Sequence, residues 1–436
     1  MRLILLLNVF LSTFVNAQNI VEDSVYFEYT KSFRKIKIWV PKDYDEQQIY
    51  LPIYCFDASL LFNLTWSNVE ILSDDDVGKM PPSIVIGIYF DDRNKDMGIN
   101  WENGQLNEQG MAFKTFMTDS IIPKIEREFS VSNYRTIIGH SNSSTYAQNF
   151  IIDEDPVFNG VITMSQFYIN ELYNSIAHIE KSRIDFVFTS ADLDADFRYE
   201  SGFKLDSVLN ESVTGGLIYK HILIEGGDHI TMVNRGLPIA LESLFKPFVT
   251  MLKIPDSIVT QLSPKGYLDS LMQLRNDKYG IKMRYGWNEL NLLYDLQVML
   301  KDSLNIGVST RLYQEIFPEY NSDAFFLEAQ ILEQMGAYQL AEKSYLKNIE
   351  VNKDAGVWSY RRLIWLYAYR LSEPNSAIDW SWKAYSVLKD DSFLQELIDI
   401  GLKYPNYQAK IIKGFKLEIK DKAKRSIYLE QFEGRD

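Results

Sequence analysis

The sequence predicts two regions of different architecture: a mostly parallel α/β sheet with helices on both faces, then an all-helical region. Three observations predict this. Between Val25 and about Lys253, short apolar β-type runs alternate with runs of helical spacing, the pattern of strand-helix-strand crossovers. From about Ser263 the β-type runs stop, and Leu, Ala, Lys, Glu and aromatic residues recur every three to four positions. The chain's 436 residues also exceed what one core ordinarily serves, so two domains are expected.

The first residues, "MRLILLLNVFLSTFVNAQ", hold one Arg, an apolar stretch and Val15-Asn16-Ala17, a small-residue arrangement suited to signal peptidase. Residues 1–17 are therefore expected to be an export signal and the mature protein periplasmic or secreted. The apolar run is short of the ~20 residues of a membrane span, and no later segment is apolar enough to cross a bilayer. No Cys follows Ala17, which speaks against a lipid anchor there.

Next, "YFEYTKSFRKIKIWVP" reads as a hairpin, and "LPIYCFD" and "SIVIGIYF" as buried strands. "RTIIGHS", "GVITMS", "DFVFTS" and "KHILIEGG" read as further short strands ending in turn residues. "MAFKTFMTDSIIPKIEREF" and "TYAQNFII" have helical spacing. The expected domains are 18–253 and 254–436. In the second, Phe325, Ala329, Gly336, Tyr338, Ala341 and Tyr345 fall much as in a tetratricopeptide helix pair. A poorer copy has Ala377 and Ala384, with Ala377 lying 36 residues beyond Ala341, near the ~34-residue period. An irregular helical bundle is the plainer reading of the same stretch.

A formal charge of −14 and a pI near 4.9 argue against broad nucleic-acid or anionic-membrane binding, which needs a basic face. Cys55 is the only cysteine, so no intramolecular disulfide and no Cys-rich metal site can form. The histidines at 140, 178, 221 and 229 have no paired ligand spacing, and no metal or organic cofactor is expected.

The chemistry concentrates at "TIIGHSNSSTYAQNF". An apolar strand, Gly139, Ser141 and a helix-compatible run make the strand-turn-helix that presents a nucleophilic serine, with small residues needed around the turn. Such a serine needs a base, and in this arrangement the chain order is serine, acid, histidine. His229 in "ILIEGGDHITMV" follows the last expected strand in a Gly-rich turn and is the expected base. His140 would point away from Ser141 and serve packing or hydrogen bonding; His178 and His221 are expected to be surface or structural. The acid is expected in "DFVFTSADLDADFR", where Asp192, Asp194 and Asp196 all qualify. Asp192, first after the strand, is preferred and Asp194 is second. Solvation or cation binding is the alternative for this acidic run, though no complete calcium loop is present. Oxyanion donors are expected to be the backbone N–H of Asn142 and one from "YCFDASLLF", from Ala58 or Ser59.

With these pieces placed, residues 25 to 250 resemble the putative esterase family of α/β-hydrolases, which includes esterase D and the ferric-enterobactin esterases. The resemblance lies in "LPIYCFDASLLF", "IVIGIYFDDRNKDM" and "FKTFMTDSIIPKIEREFSVSNYRTIIGHS", and in "GGDHITMVNRGLPIALESLF" for the histidine segment. "YGIKMRYGWNELNLLYDLQVMLKD" and the Gly336 repeat resemble the helical tail of some bacterial members. The resemblance implies an α/β-hydrolase fold and a serine carboxylesterase working through an acyl-enzyme on a small-molecule ester. Siderophore, feruloyl or acetyl-sugar, and thioester-like substrates are all compatible with it; the acidic run at Asp192 to Asp196 weighs against anionic ones.

The sequence departs from the family where Ser143, Ser144 and Ala58 replace Gly and Lys95 replaces Arg. Added side chains at the elbow would crowd the turn. The alternative function is therefore an inactive homologue that binds a protein partner, or itself, through the helical tail.

Overall fold

The computed structural model describes residues 19–180, 183–250, 263–282, 285–352 and 357–433. The expected export signal and the expected boundary at 253/254 lie outside them. The chain divides into two compact units, one formed by residues up to 254 together with 269–284, the other by 255–268 and 285–436.

The first unit is built on one eight-stranded sheet of β1 (Ile20–Phe27), β2 (Ser32–Trp39), β3 (Leu51–Cys55), β4 (Ser83–Ile88), β5 (Thr136–His140), β6 (Gly160–Met164), β7 (Ile184–Ala191) and β8 (Leu217–Ile224). Their order is β1-β2-β4-β3-β5-β6-β7-β8. The expected hairpin forms β1 and β2, antiparallel with Phe27 opposite Ser32, and β2 runs antiparallel to β4. From β4 onward every neighbouring pair is parallel.

The central strands are apolar throughout because both faces are covered. Period-two alternation splits their side chains between two cores. Tyr54, Ile84, Ile137 and Val161 meet Phe113, Ile125, Tyr173 and Leu205 on one face. Ile53, Val85, Ile138 and Ile162 meet Leu61, Phe62, Leu237 and Leu241 on the other. The helix expected from "MAFKTFMTDSIIPKIEREF" runs as Glu108–Phe116, a π turn at Met117–Ile121, and Ile122–Glu128. Pro123 has no N–H to donate and its ring would press on the preceding turn, which the wider turn relieves.

Residues 269–284 complete the first unit. Lys278 Nζ lies 2.9 Å from Asp185 Oδ2 on β7, and buried Arg275 donates to the Phe248 carbonyl at 3.0 and 2.6 Å. The buried Tyr279 ring packs 5.0 Å from Tyr134 and 5.9 Å from Phe248.

The second unit is helical: Trp287–Leu300, Ile306–Ile316, Ala324–Gln334, Tyr338–Val351, Val357–Tyr369, Pro374–Leu388, Ser392–Lys403, Gln408–Glu418 and Lys422–Glu433. Ala329, Ala341, Ala377 and Ala384 are fully buried, small side chains where helices approach. Gly336, at φ +77°, makes the left-handed turn between the third and fourth helices.

Candidate active site

The β5 strand ends at His140, and the next residue, Ser141, has φ 59° and ψ −127° before the helix Asn142–Gln148 begins. A non-glycine residue in this region stores roughly 1–3 kcal/mol of strain. The turn is over-determined by its neighbours. Ser141 N donates to Met164 O on β6 at 2.8 Å, and a Cβ at Gly139 would come within 2.3 Å of the Ser143 carbonyl oxygen. Gly139 is therefore required by the close return of the chain.

Ser143 and Ser144 do not crowd this elbow, as their sequence suggested they would. The Ser143 hydroxyl donates to Asp57 Oδ2 at 2.6 Å and accepts from His140 N at 3.0 Å. The Ser144 hydroxyl bonds Met164 O at 2.6 Å and accepts from Met164 N at 3.0 Å. Both side chains are fully buried with partners, so the added oxygens stitch the turn to β6 and to the end of β3.

A bidentate ion pair braces the elbow from the other side. Arg93 Nε and Nη2 donate to Asp57 Oδ1 and Oδ2 at 2.6 and 2.7 Å, and Nη2 also reaches His140 O at 3.1 Å. This ties "CFDA" to "FDDRNKDM", two of the segments that carried the family resemblance. Ala58 begins the helix after β3, behind Asp57 at φ 49°. Its methyl packs at Gly87 on β4, where an added Cβ would come within 2.9 Å. The N–H groups of Ala58 and Asn142 open their helices and donate to no partner among the described residues.

His229 reaches the elbow from the loop after β8. Its Nε2 lies 3.1 Å from Ser141 Oγ, and its Nδ1 lies 3.0 and 3.2 Å from the two oxygens of Asp194. Asp194 is the carboxylate on the histidine, which corrects the expectation of Asp192. Asp192 points to the loop after β8, accepting from Gly226 N at 2.7 Å. The backbone turns between the two, Asp194 N returning to Ala191 O, so that only the second carboxylate is carried inward. Asp196 opens the helix Asp196–Ser212 and is exposed.

Three further residues surround this series. Ser165, just past β6 with φ 58°, donates to Asp194 Oδ2 at 2.5 Å and lies 3.0 Å from His229 Nδ1. Arg198 donates to Ser165 O at 2.6 Å and to Asn142 Oδ1 at 2.8 Å. No local sequence pattern announces either residue. His140 turns away from Ser141, as expected, and bonds the His229 carbonyl through Nε2 at 2.7 Å. Burial holds its pKa down at about 4, so near neutral pH it is uncharged and Nε2–H is the donor. His221 contacts Ser190 and stacks on Phe188, while His178 bonds Asn174 O at the surface. Cys55 is buried, with its thiol pushed up to about 12 by burial, and is chemically quiet.

Between the loops after β7 and β8 lies an open cleft of about 500 Å³ lined by Leu193, Asp194, Arg198, Asp228, His229 and Ile230 among others. No group of acidic, His or Cys side chains among the described residues has the arrangement of a metal site. No described helix is long and apolar enough to cross a membrane.

The sheet and its helices have the α/β-hydrolase fold, and a serine stands beside a histidine-carboxylate pair at its strand ends. Residues 28–180 match the family described as Putative esterase. The matched stretch includes the elbow and ends before Asp194 and His229. No curated protein matches the chain significantly. Among solved structures, an uncharacterised protein from Capnocytophaga ochracea DSM 7271 is similar at 18% identity and TM-score 0.59, over 80% of this chain and 99% of that one. An IroE-like serine hydrolase from Shewanella oneidensis is similar at 15% identity and TM-score 0.54, over 68% of this chain and 99% of that one. At these identities the likeness is one of fold.

Proposed function

We infer that the protein is an exported serine carboxylesterase whose nucleophile, base and acid are Ser141, His229 and Asp194. One observation carries this: the unbroken series Asp194–His229–Ser141, with each contact at 3.0 to 3.1 Å, meeting a strained serine at the start of a helix. Ser141 Oγ attacks the ester carbonyl as its proton passes to His229 Nε2. Asp194 holds Nδ1–H and stabilises the imidazolium. The N–H groups of Asn142 and Ala58, which have no other partner among the described residues, are the donors for the oxyanion. The alcohol leaves with the proton from His229; water, deprotonated by the same nitrogen, then releases the acid and restores Ser141.

Export rests on the N-terminal pattern ending at Ala17. The buried alanines and the left-handed Gly336 turn support the tetratricopeptide-like reading of the helical unit. Intact-mass and peptide mapping after treatment with a fluorophosphonate tests the mechanism. One adduct on Ser141, lost in His229→Ala, is expected. Folded protein that takes no label, or takes it elsewhere, overturns the assignment.

A further inference from the structure

The cleft is lined by two carboxylates, Asp194 and Asp228, and one guanidinium, Arg198, and they differ in how far their polar atoms are already engaged. Asp194 spends both oxygens on His229, Ser165 and Ala195 N. Asp228 accepts from Ile230 N and Thr231 N at 2.9 and 2.8 Å, satisfying the start of the helix Thr231–Leu244. Asp192, expected from the sequence to be the acid for His229, is turned to Gly226. Arg198 is different: its two hydrogen bonds go to uncharged oxygens, Ser165 O and Asn142 Oδ1, and no carboxylate lies within ion-pair distance of it among the described residues. Burial lowers its pKa, yet a guanidinium keeps its proton under any physiological condition. Its plane lies 5.3 Å from the Phe197 ring. Two of its five N–H groups are used, leaving donors for a fork-like acceptor.

The Asp194 carboxylate acts on Arg198 only from beyond ion-pair distance, and the free donors of a half-buried guanidinium beside the cleft suit the two oxygens of a ligand carboxylate. We propose that Arg198 is a specificity residue that binds a carboxylate on the alcohol portion of the ester. This deepens the esterase reading and rests on it. The alcohol half is assigned because the cleft holding Arg198 lies on the His229 side, and His229 must hand its proton to the departing alcohol. Rim residues Leu193 and Ile230 are more than half exposed and offer apolar contact to the carbon frame of that alcohol.

The test uses the full mature chain and two acetate esters of equal size, 3-carboxyphenyl acetate and its neutral carboxamide counterpart, 3-carbamoylphenyl acetate. The wild type is expected to favour the carboxylate by about tenfold in kcat/KM, the scale of one charge-assisted hydrogen bond, mainly through KM. Arg198→Gln is expected to erase the ratio and Arg198→Lys to keep part of it. Arg198 also supports Asn142, so both esters slow in Arg198→Gln; a purely structural role would slow them equally and leave the ratio unchanged. That outcome, or a wild-type ratio near one, overturns the proposal, and the second needs no variant. Fluorophosphonate labelling in parallel separates the two readings: a labelled Ser141 with no charge preference ends this inference alone, whereas no labelling and no turnover of either ester ends both.

Discussion

Asp192 and Asp194 stand two positions apart with the same side chain, yet their environments assign them different work. Asp194→Asn replaces one carboxylate oxygen by an amide donor and removes the charge that stabilises the imidazolium, favouring the wrong tautomer, so kcat on a short activated ester is expected to fall about 10³- to 10⁴-fold. Asp192→Asn keeps an oxygen for Gly226 N and is expected to stay within a few-fold of wild type. Steady-state kinetics of the two variants decides it, and equal losses would contradict the geometry. His140 supplies a second test. Its folded pKa, near 4, is below the ordinary value of 6.5, so the unfolded chain binds the proton first. Stability is complete above about pH 6.5 and is lost as pH falls towards 4, by roughly 3 kcal/mol in total at 1.36 kcal/mol per pKa unit. Urea unfolding at pH 7 and pH 4.5 is expected to show most of this loss in wild type and correspondingly less in His140→Gln. In the sequence, the spacing of the three aspartates could not separate them, because the separation is made by residues distant in the chain: His229 on the loop after β8 and Ser165 after β6.

The strand-turn-helix at Ser141 was legible from its residue types. Gly139 is read from sequence as a small residue near a turn; its necessity comes from the Ser143 backbone, which crosses within bonding distance of where a side chain would start. Gly139→Ala is expected to open the elbow, costing about 1–3 kcal/mol in stability and, through misplacement of Ser141, at least about 100-fold in kcat/KM. Activity close to wild type with an unchanged unfolding midpoint would show that the turn is looser than its contacts imply. Ser143 and Ser144 went the other way. Judged one position at a time, each adds bulk where relatives have glycine. In the fold the Ser143 hydroxyl meets Asp57, just past β3, and the Ser144 hydroxyl meets Met164 on β6, and that pairing is invisible to a reading of local size.

On the largest scale, β-type runs alternating with helical ones, followed by helix alone, were enough to separate a parallel sheet from a helical unit, because each element must bury its own face at its own period. They were not enough to show that residues 269–284, helical in pattern, belong with the sheet unit. Tyr279→Ala in the full chain is expected to destabilise that unit by about 3–5 kcal/mol, as loss of a buried aromatic side chain does, while spectroscopic probes of the helical unit's tryptophans change little. A loss confined to the helical unit would assign the segment the other way. By itself the sequence determined the fold class, the serine elbow and the histidine that faces it, since these depend on periodicity, chain order and turn chemistry carried by neighbouring residues. Only the tertiary structure decided which carboxylate holds the histidine, how the elbow serines are satisfied, and that Arg198 makes no ion pair among the described residues beside the cleft. Those outcomes depend on which side chains from separate strands arrive within 3 Å of one another, and that distance is set by the packing of the whole sheet.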